Sequence, residues 1–283
     1  MGFLTVMALP LLACILVMSI HPPLGRHVLA RGVIFVDLAL AQIAAMGQSV
    51  AFLLGAEPAD PSTYVWSFGF TLLGAFIFSF LWDREHSVLQ EAFIGISFAL
   101  ATAATLLLLA NAPHGAEHVR GTLSGEALGW VTWRNITVMA VVYGIVGAFL
   151  LLKRRELLLC SENPKEAKRR GMPVRLWDFF FYAAFGLVVT ISVNLAGVLA
   201  VFSYLIAPMV CVTLLGIKGR GRLYWAWGIA FVASVLGAAL SYLRDWPMGA
   251  TIVCIFGVTV AVISFTVRMK NVDSGNGGAQ RQT

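Results

Sequence analysis

The chain has 283 residues, of which 59% are apolar and 12% are charged, and its formal net charge is +6. Soluble domains average about half apolar and about a quarter charged residues, so this composition excludes an ordinary soluble enzyme or binding domain. It predicts instead an all-α, polytopic transmembrane helical bundle.

Apolar runs bounded by helix breakers predict nine membrane spans, since a bilayer core about 30 Å thick requires about 20 apolar residues per helix. In chain order they cover residues 3–20, 33–54, 64–82, 91–110, 135–152, 178–193, 197–215, 224–243 and 249–267. The division near Asn194 leaves eight spans as an alternative, because residues 179–216 carry no charge and are long for one span but short for two. The first apolar run continues through Ile20 with no Lys or Arg before it, which favours a retained helix over a cleaved leader.

Lys and Arg residues indicate the orientation, because they concentrate in cytoplasmic loops. With the N-terminus outside and the C-terminus in the cytoplasm, the nine spans place seventeen of the twenty basic residues on the cytoplasmic side, Arg26 and Arg31 among them. Three remain outside: Arg120, Arg134 and Arg244. Topology in a bacterial inner membrane therefore explains the positive net charge, and nucleic acid is not expected as a partner.

A short basic segment in the middle of the chain has the signals of a small helix. Asn163 suits the N-cap, Pro164 the first helical position, Glu166 the acid of a capping box, and Gly171 the end of the helix. The basic residues within it are Lys165, Lys168, Arg169 and Arg170. So short a helix is marginal in water, so it requires something to pack against. A basic loop that only enforces topology and touches anionic lipid heads is the alternative.

Four stretches, in order along the chain, resemble the membrane permease subunit of ABC importers for zinc, manganese or iron. They are EAFIGISFALATA from Glu91, ELLLCSENPKEAKRRGMPVRLWDFFF from Glu156, VNLAGVLAVFSYLIAPMVCVTLL from Val193 and DWPMGATIV from Asp245. The resemblance extends from about residue 24 to residue 267. It implies a single permease domain over residues 1–270, with residues 162–173 as a cytoplasmic coupling helix that docks into an ATPase.

The resemblance also implies a division of labour. The chain contains no GxxxxGK[ST] phosphate loop, so ATP is expected to act only through a separate cytoplasmic ATPase subunit. Two permease copies would pair with two ATPase subunits, and an extracytoplasmic binding protein would deliver the divalent metal ion for import. Nucleophile, base and orienting acid do not cluster in any loop, so we predict no catalytic residues and no covalently bound cofactor.

The second span departs from the family pattern. The family commonly has a Gly-Asp pair followed by a Ser/Ala-His step, whereas here Asp37 is displaced by one position and Gln42 stands where His is usual. A possible imidazole ligand is therefore lost, and the identity of the metal stays open.

Polar residues within spans are costly, so they are candidates for the translocation pathway. They are Asp37, Gln42, Gln48 and Asn194. The alternative is that Asp37 pairs with Arg31 or Arg26 near the interface, while the amides bond neighbouring helices. Pro208 removes a backbone hydrogen bond and could leave Tyr204 facing a cavity, although a kink needed only for packing explains it equally.

The outer loop sequence HGAEH places His114, Glu117 and His118 close together. On a helix, His114 and His118 would share a face and could hold zinc or a similar ion. The neighbouring Pro113 and Gly115 argue against a rigid helix, and a solvated loop is the alternative.

Two other classes of function remain open. A separate prediction concerns the C-terminal residues. A secondary transporter or channel for a small cation would need intramembrane charge, which only Asp37 could supply, and a membrane scaffold would leave the docking segment without a role. Residues 271–283 are rich in Gly, Ser, Asn and Gln and predict a disordered tail.

Overall fold

The computed structural model describes residues 3–33, 35–57, 60–80, 87–219 and 221–279. Within these ranges the chain is helical and contains no strand, which confirms the predicted all-α class. The helices are α1 Phe3–Arg31, α2 Val36–Leu53, α3 Pro61–Phe80, α4 Ser87–Leu109, α5 Gly115–Ser124, α6 Trp133–Leu152, α7 Arg154–Glu162, α8 Pro164–Arg169, α9 Val174–Ala196, α10 Val198–Leu214, α11 Gly221–Arg244 and α12 Met248–Ala279. A 3-10 turn, Glu126–Trp130, lies between α5 and α6.

Eight stretches of the described chain are long and apolar enough to cross a membrane. The longest, Val174–Leu214, has 41 residues, which would extend about 60 Å as one helix and exceed a single crossing. It is broken at Gly197, whose φ of 79° and ψ of 160° suit glycine, so α9 and α10 are separate helices. Counting both gives nine long helices over the described ranges, and the division at Gly197 agrees with the predicted division near Asn194.

Helix α1 is longer than predicted. The predicted first span ended at residue 20 and left Arg26 and Arg31 in a loop, but the helix continues to Arg31. The helix passes through Pro22 and Pro23, each of which removes one backbone hydrogen-bond donor. The two arginines therefore lie on the last turns of α1.

The last helix also differs from the sequence prediction. Helix α12 continues through Ala279, whereas a disordered tail was expected from residue 271. Gly and Asn disfavour helix individually, but this stretch extends an apolar helix that already provides the nucleus. Residues 280–283 of the expected tail lie outside the described residues.

The bundle packs by close approach of helix backbones. Helix α9 lies in its interior, with Phe181, Tyr182 and Phe185 fully buried. At Gly47 of α2, a Cβ would lie 2.7 Å from the Cα of Ser67 on α3, so only glycine fits there. Small residues take this role in lipid, where packing replaces the hydrophobic effect as the force that associates helices.

Candidate functional site

Helix α8 is a capped helix of six residues, as the sequence predicts. The Glu166 backbone N–H donates to the Asn163 side chain at 3.2 Å, and Pro164 occupies the first helical position. Gly171 has a φ of 74°, and the N–H of Met172 donates to the carbonyl of Ala167 at 3.0 Å. This is a Schellman ending, which satisfies the last carbonyls of the helix.

The Glu166 side chain does not play the predicted part in a capping box. Its carboxylate accepts hydrogen bonds from Arg169 at 2.7 Å and from Arg170 at 2.8 Å. Two cations one turn away attract the carboxylate more strongly than a backbone N–H does. Glu166 therefore holds part of the basic face of α8 in place.

A small apolar core attaches α8 to its neighbours. Ala167 is fully buried against Cys160 of α7 and Val174 of α9, and Met172 and Trp177 pack around them. On the opposite side four basic residues are exposed: Lys165, Lys168, Arg169 and Arg170. Helix α8 is therefore fixed on one face and presents a basic surface on the other.

A buried polar cluster lies where α1, α7 and α9 meet. Arg31 donates to Asp178 at 2.7 Å and, through Nε, to Ser161 at 3.1 Å. His27 Nδ1 lies 3.1 Å from the same Ser161 hydroxyl. Sequence reasoning missed this cluster, although Asp178 is the only charged residue between Arg175 and Lys218, a signal that could have marked it.

Asp37 is not paired with either arginine that the sequence offered. Its side chain is fully buried in the first turn of α2, and neither carboxylate oxygen has a hydrogen-bond partner among the described residues. Arg31 binds Asp178 instead, and Arg26 binds Glu162 at 2.9 Å. The carboxylate of Asp37 therefore lacks the partner that structural burial of a charge requires.

The two glutamines of α2 are also buried. Gln48 Nε2 has no hydrogen-bond partner within the described part of the chain. Gln42 borders a cavity of about 100 Å³ between α2, α4 and α5, which is also lined by Ser49, Thr102, Thr105, His118 and Thr122. Asp37, Gln42 and Gln48 are thus buried polar residues spread over most of the length of α2. At about 100° per residue, Asp37 and Gln48 share one face of the helix, and Gln42 lies on another.

The other predicted pathway residues lie elsewhere and are used within the bundle. Asn194 donates to the carbonyl of Thr190 on its own helix at 2.8 Å. Tyr204 is buried and shares a hydrogen bond of 2.6 Å with Ser234 of α11, while Pro208 is buried inside α10. In this structure the Tyr204 hydroxyl therefore contacts a packed neighbour, as in the packing alternative given for the Pro208 segment.

The outer-loop residues are only partly brought together. His114 and Glu117 are in contact at 3.0 Å, with side chains 78% and 80% exposed. The ring of His118 stacks on Phe52 at 4.7 Å, and its partial burial lowers the pKa of His118 below the ordinary value. No group of three His, Cys, Asp or Glu side chains that could hold a metal ion occurs among the described residues. The structure supplies a pair, His114 with Glu117, rather than the expected three ligands.

Comparisons with known proteins place these features in context. Residues 4–268 match the family model described as the ABC 3 transport family. The manganese transport system membrane protein MntB of Synechocystis is 26% identical over 224 residues, covering 78% of this chain and 68% of that protein. MntC of Halalkalibacterium halodurans, with the same description, is 25% identical over 264 residues, covering 90% and 85%. The solved structure of PsaBC from Streptococcus pneumoniae in complex with Fab shares the fold, with a TM-score of 0.74, 19% identity, and coverage of 95% of this chain and 96% of that one.

Proposed function

Because the chain belongs to the ABC 3 transport family, we propose that it is the membrane permease subunit of an importer for a divalent metal ion. The two relatives described as manganese transport system membrane proteins support this class of cargo, within which zinc and iron remain candidates. The chain is a multi-pass membrane protein, and we place it in the bacterial inner membrane. The bias of basic residues supports an external N-terminus and a cytoplasmic C-terminus.

The proposal requires a separate motor, because the sequence lacks a phosphate loop. The observation that carries this step is α8, whose basic outer face is exposed while Ala167 is buried on the inner face. A face of this kind suits a cytoplasmic ATP-binding subunit that moves as it binds and hydrolyses ATP. A second permease copy and an extracytoplasmic metal-binding protein complete the proposed assembly.

The buried polar residues of α2, Asp37 and Gln48 on one face and Gln42 beside the small cavity, are the proposed lining of the translocation pathway. Support comes from Asp37, both of whose carboxylate oxygens lack partners within the described ranges. A transported cation would meet oxygen ligands there, which suit hard and borderline divalent ions. We assign Asn194, Tyr204 and Pro208 to helix packing at the edge of this pathway.

Co-purification tests the docking step. The chain is co-expressed with a candidate ABC ATPase subunit from the same genome, and Lys168→Glu/Arg169→Glu is compared with Lys218→Glu/Arg268→Glu, an equal reversal at exposed positions outside α8. We expect the α8 variant to lose the ATPase and the control to retain it, with both chains still inserted in the membrane. Retention of the ATPase by the α8 variant would refute docking at this helix.

Cellular metal content tests the cargo. The chain and its neighbouring subunits are expressed in a strain that lacks its own zinc or manganese importer, and growth and metal content are measured at limiting metal. We expect rescue of growth and a rise in one of the three metals. Unchanged content of manganese, zinc and iron would contradict the proposed cargo while leaving the family and the fold intact.

A further inference from the structure

Ser161 connects the docking segment, residues 162–173, to the rest of the bundle. It lies in the last turn of α7, two residues before Asn163, which caps α8. Its buried hydroxyl accepts a hydrogen bond from Arg31 Nε and lies within 3.1 Å of His27 Nδ1. Both partners belong to α1, so displacement of the α7–α8 junction acts directly on that helix.

Arg31 joins three helices through one side chain. Its Nε binds Ser161 of α7 while its Nη1 binds Asp178 of α9 at 2.7 Å, with side chains of Arg31 and Asp178 only 1% and 8% exposed. The guanidinium also lies 4.1 Å from the centre of the Phe181 ring. A planar guanidinium held by two directional hydrogen bonds and a ring transmits orientation as well as position.

A second ion pair crosses the same boundary but differs in its environment. Arg26 binds Glu162 at 2.9 Å, with side chains 43% and 51% exposed. Exposed pairs contribute little, because solvent screens them and both side chains lose rotamer freedom. This pair is therefore a natural control for the buried cluster.

The end of α1 is suited to pass movement onward. Pro22 and Pro23 lie immediately before it and remove two backbone donors, which loosens the helix at that point. Beyond them, Gly25 packs so closely on α10 that a Cβ would overlap the carbonyl oxygen of Leu205. A displacement of residues 24–31 would therefore act on α10 through this direct backbone contact.

We propose that Arg31, Ser161 and Asp178 are positioning residues that convert movement of the docking segment into rearrangement of α1, α9 and α10. This inference rests on the proposed function, since it requires an ATPase at α8. Packed helices joined by a buried polar cluster, here Arg31, Ser161 and Asp178, switch between discrete arrangements rather than deforming gradually. Loss of this buried polar cluster therefore uncouples ATP hydrolysis from transport without preventing assembly of the permease with the ATPase.

The test measures metal uptake per ATP hydrolysed by the complete transporter in proteoliposomes, with manganese(II), zinc(II) and iron(II) as probes. The main variant is Arg31→Met/Asp178→Leu, because apolar side chains of similar volume replace buried ion pairs with little loss of stability. Ser161→Ala is the second variant, since it removes one hydroxyl and keeps the ion pair. Arg26→Gln, which weakens only the exposed pair and lies outside residues 162–173, is the matched control.

We expect both cluster variants to retain the ATPase and to hydrolyse ATP, while uptake per ATP falls by about threefold to thirtyfold. The control should match the wild type. If Ser161→Ala and the folded double variant both keep the wild-type uptake per ATP, this inference is wrong and the proposed function is unaffected. Loss of the ATPase subunit from both variants would have the same consequence. A wild-type complex that takes up none of the three metals overturns the proposed function and this inference together.

Discussion

Gly197 lies against Gly125, so that a Cβ at position 197 would come within 2.7 Å of the Gly125 Cα. The contact brings the break between α9 and α10 against the turn that follows α5. The same Cβ would lie 2.9 Å from the Leu123 carbonyl oxygen. Both neighbours are backbone atoms, which cannot move aside as the end of a flexible side chain can.

Gly197→Ala should therefore destabilise the protein strongly. Overpacking costs about 1–3 kcal/mol, and the φ of 79° adds strain for a residue with a Cβ. We expect a lower unfolding temperature in detergent, measured by intrinsic fluorescence. Gly257→Ala in α12 is the matched control, since its Cβ would meet no atom of the described residues within 4 Å. Equal unfolding temperatures for the two variants would contradict the tight junction.

Asn163→Ala should weaken the docking helix without disturbing the bundle. Loss of an N-cap costs about 1 kcal/mol, a large share of the stability of a six-residue helix. The expected result is reduced retention of the ATPase in co-purification, with unfolding of the permease unchanged. Asn163→Asp keeps a capping oxygen and should retain the partner as the wild type does. If both variants lose the ATPase equally, the side chain of Asn163 contributes by contact rather than by capping.

Asp178→Ala should be among the most destabilising single changes at the end of the bundle that carries α7 and α8. Removing one member of a buried ion pair leaves the other charge without compensation, at a cost of about 3–5 kcal/mol. Thermal unfolding of the purified chain measures this loss. Arg31→Met/Asp178→Leu should recover most of the stability. Similar unfolding of Asp178→Ala and the wild type would show that the Arg31 charge finds water or another partner.

Asp37→Asn should separate transport from stability. An amide of the same shape does not require burial of a charge, so we expect unfolding at or above the wild-type temperature. Metal uptake should nevertheless fall, because the proposed pathway loses its carboxylate. Asp178→Asn is the contrast, since that carboxylate is paired and its replacement should lower stability. Normal uptake by Asp37→Asn would remove Asp37 from the pathway.

Features written in local sequence were predictable. Asn163, Pro164 and Gly171 indicate the ends of α8 because caps depend on residues a few positions apart. The long apolar helices follow from composition in the same way, including the division of residues 179–216. The division falls at Gly197, within three residues of Asn194, and depends on a backbone angle that glycine adopts rather than on the polarity of Asn194.

Features that depend on distant contacts were not predictable. Arg31 and Asp178 are 147 positions apart, and nothing near either residue indicates the other. The same limit applies to Tyr204, whose partner Ser234 lies on the next helix and removes the need for a cavity. For Asp37 the sequence offered two nearby partners, Arg26 and Arg31, but in the folded chain these bind Glu162 and Asp178 instead.

The attachment of α8 through Ala167, Cys160 and Val174 has an evolutionary consequence. Because this inner apolar core anchors the helix, its outward-facing residues are free to diverge while the bundle stays the same. If α8 docks the ATPase as proposed, exchange of those residues would direct the permease to a different ATPase subunit. Related importers in one cell would then keep separate ATPases through variation in a stretch shorter than two helical turns.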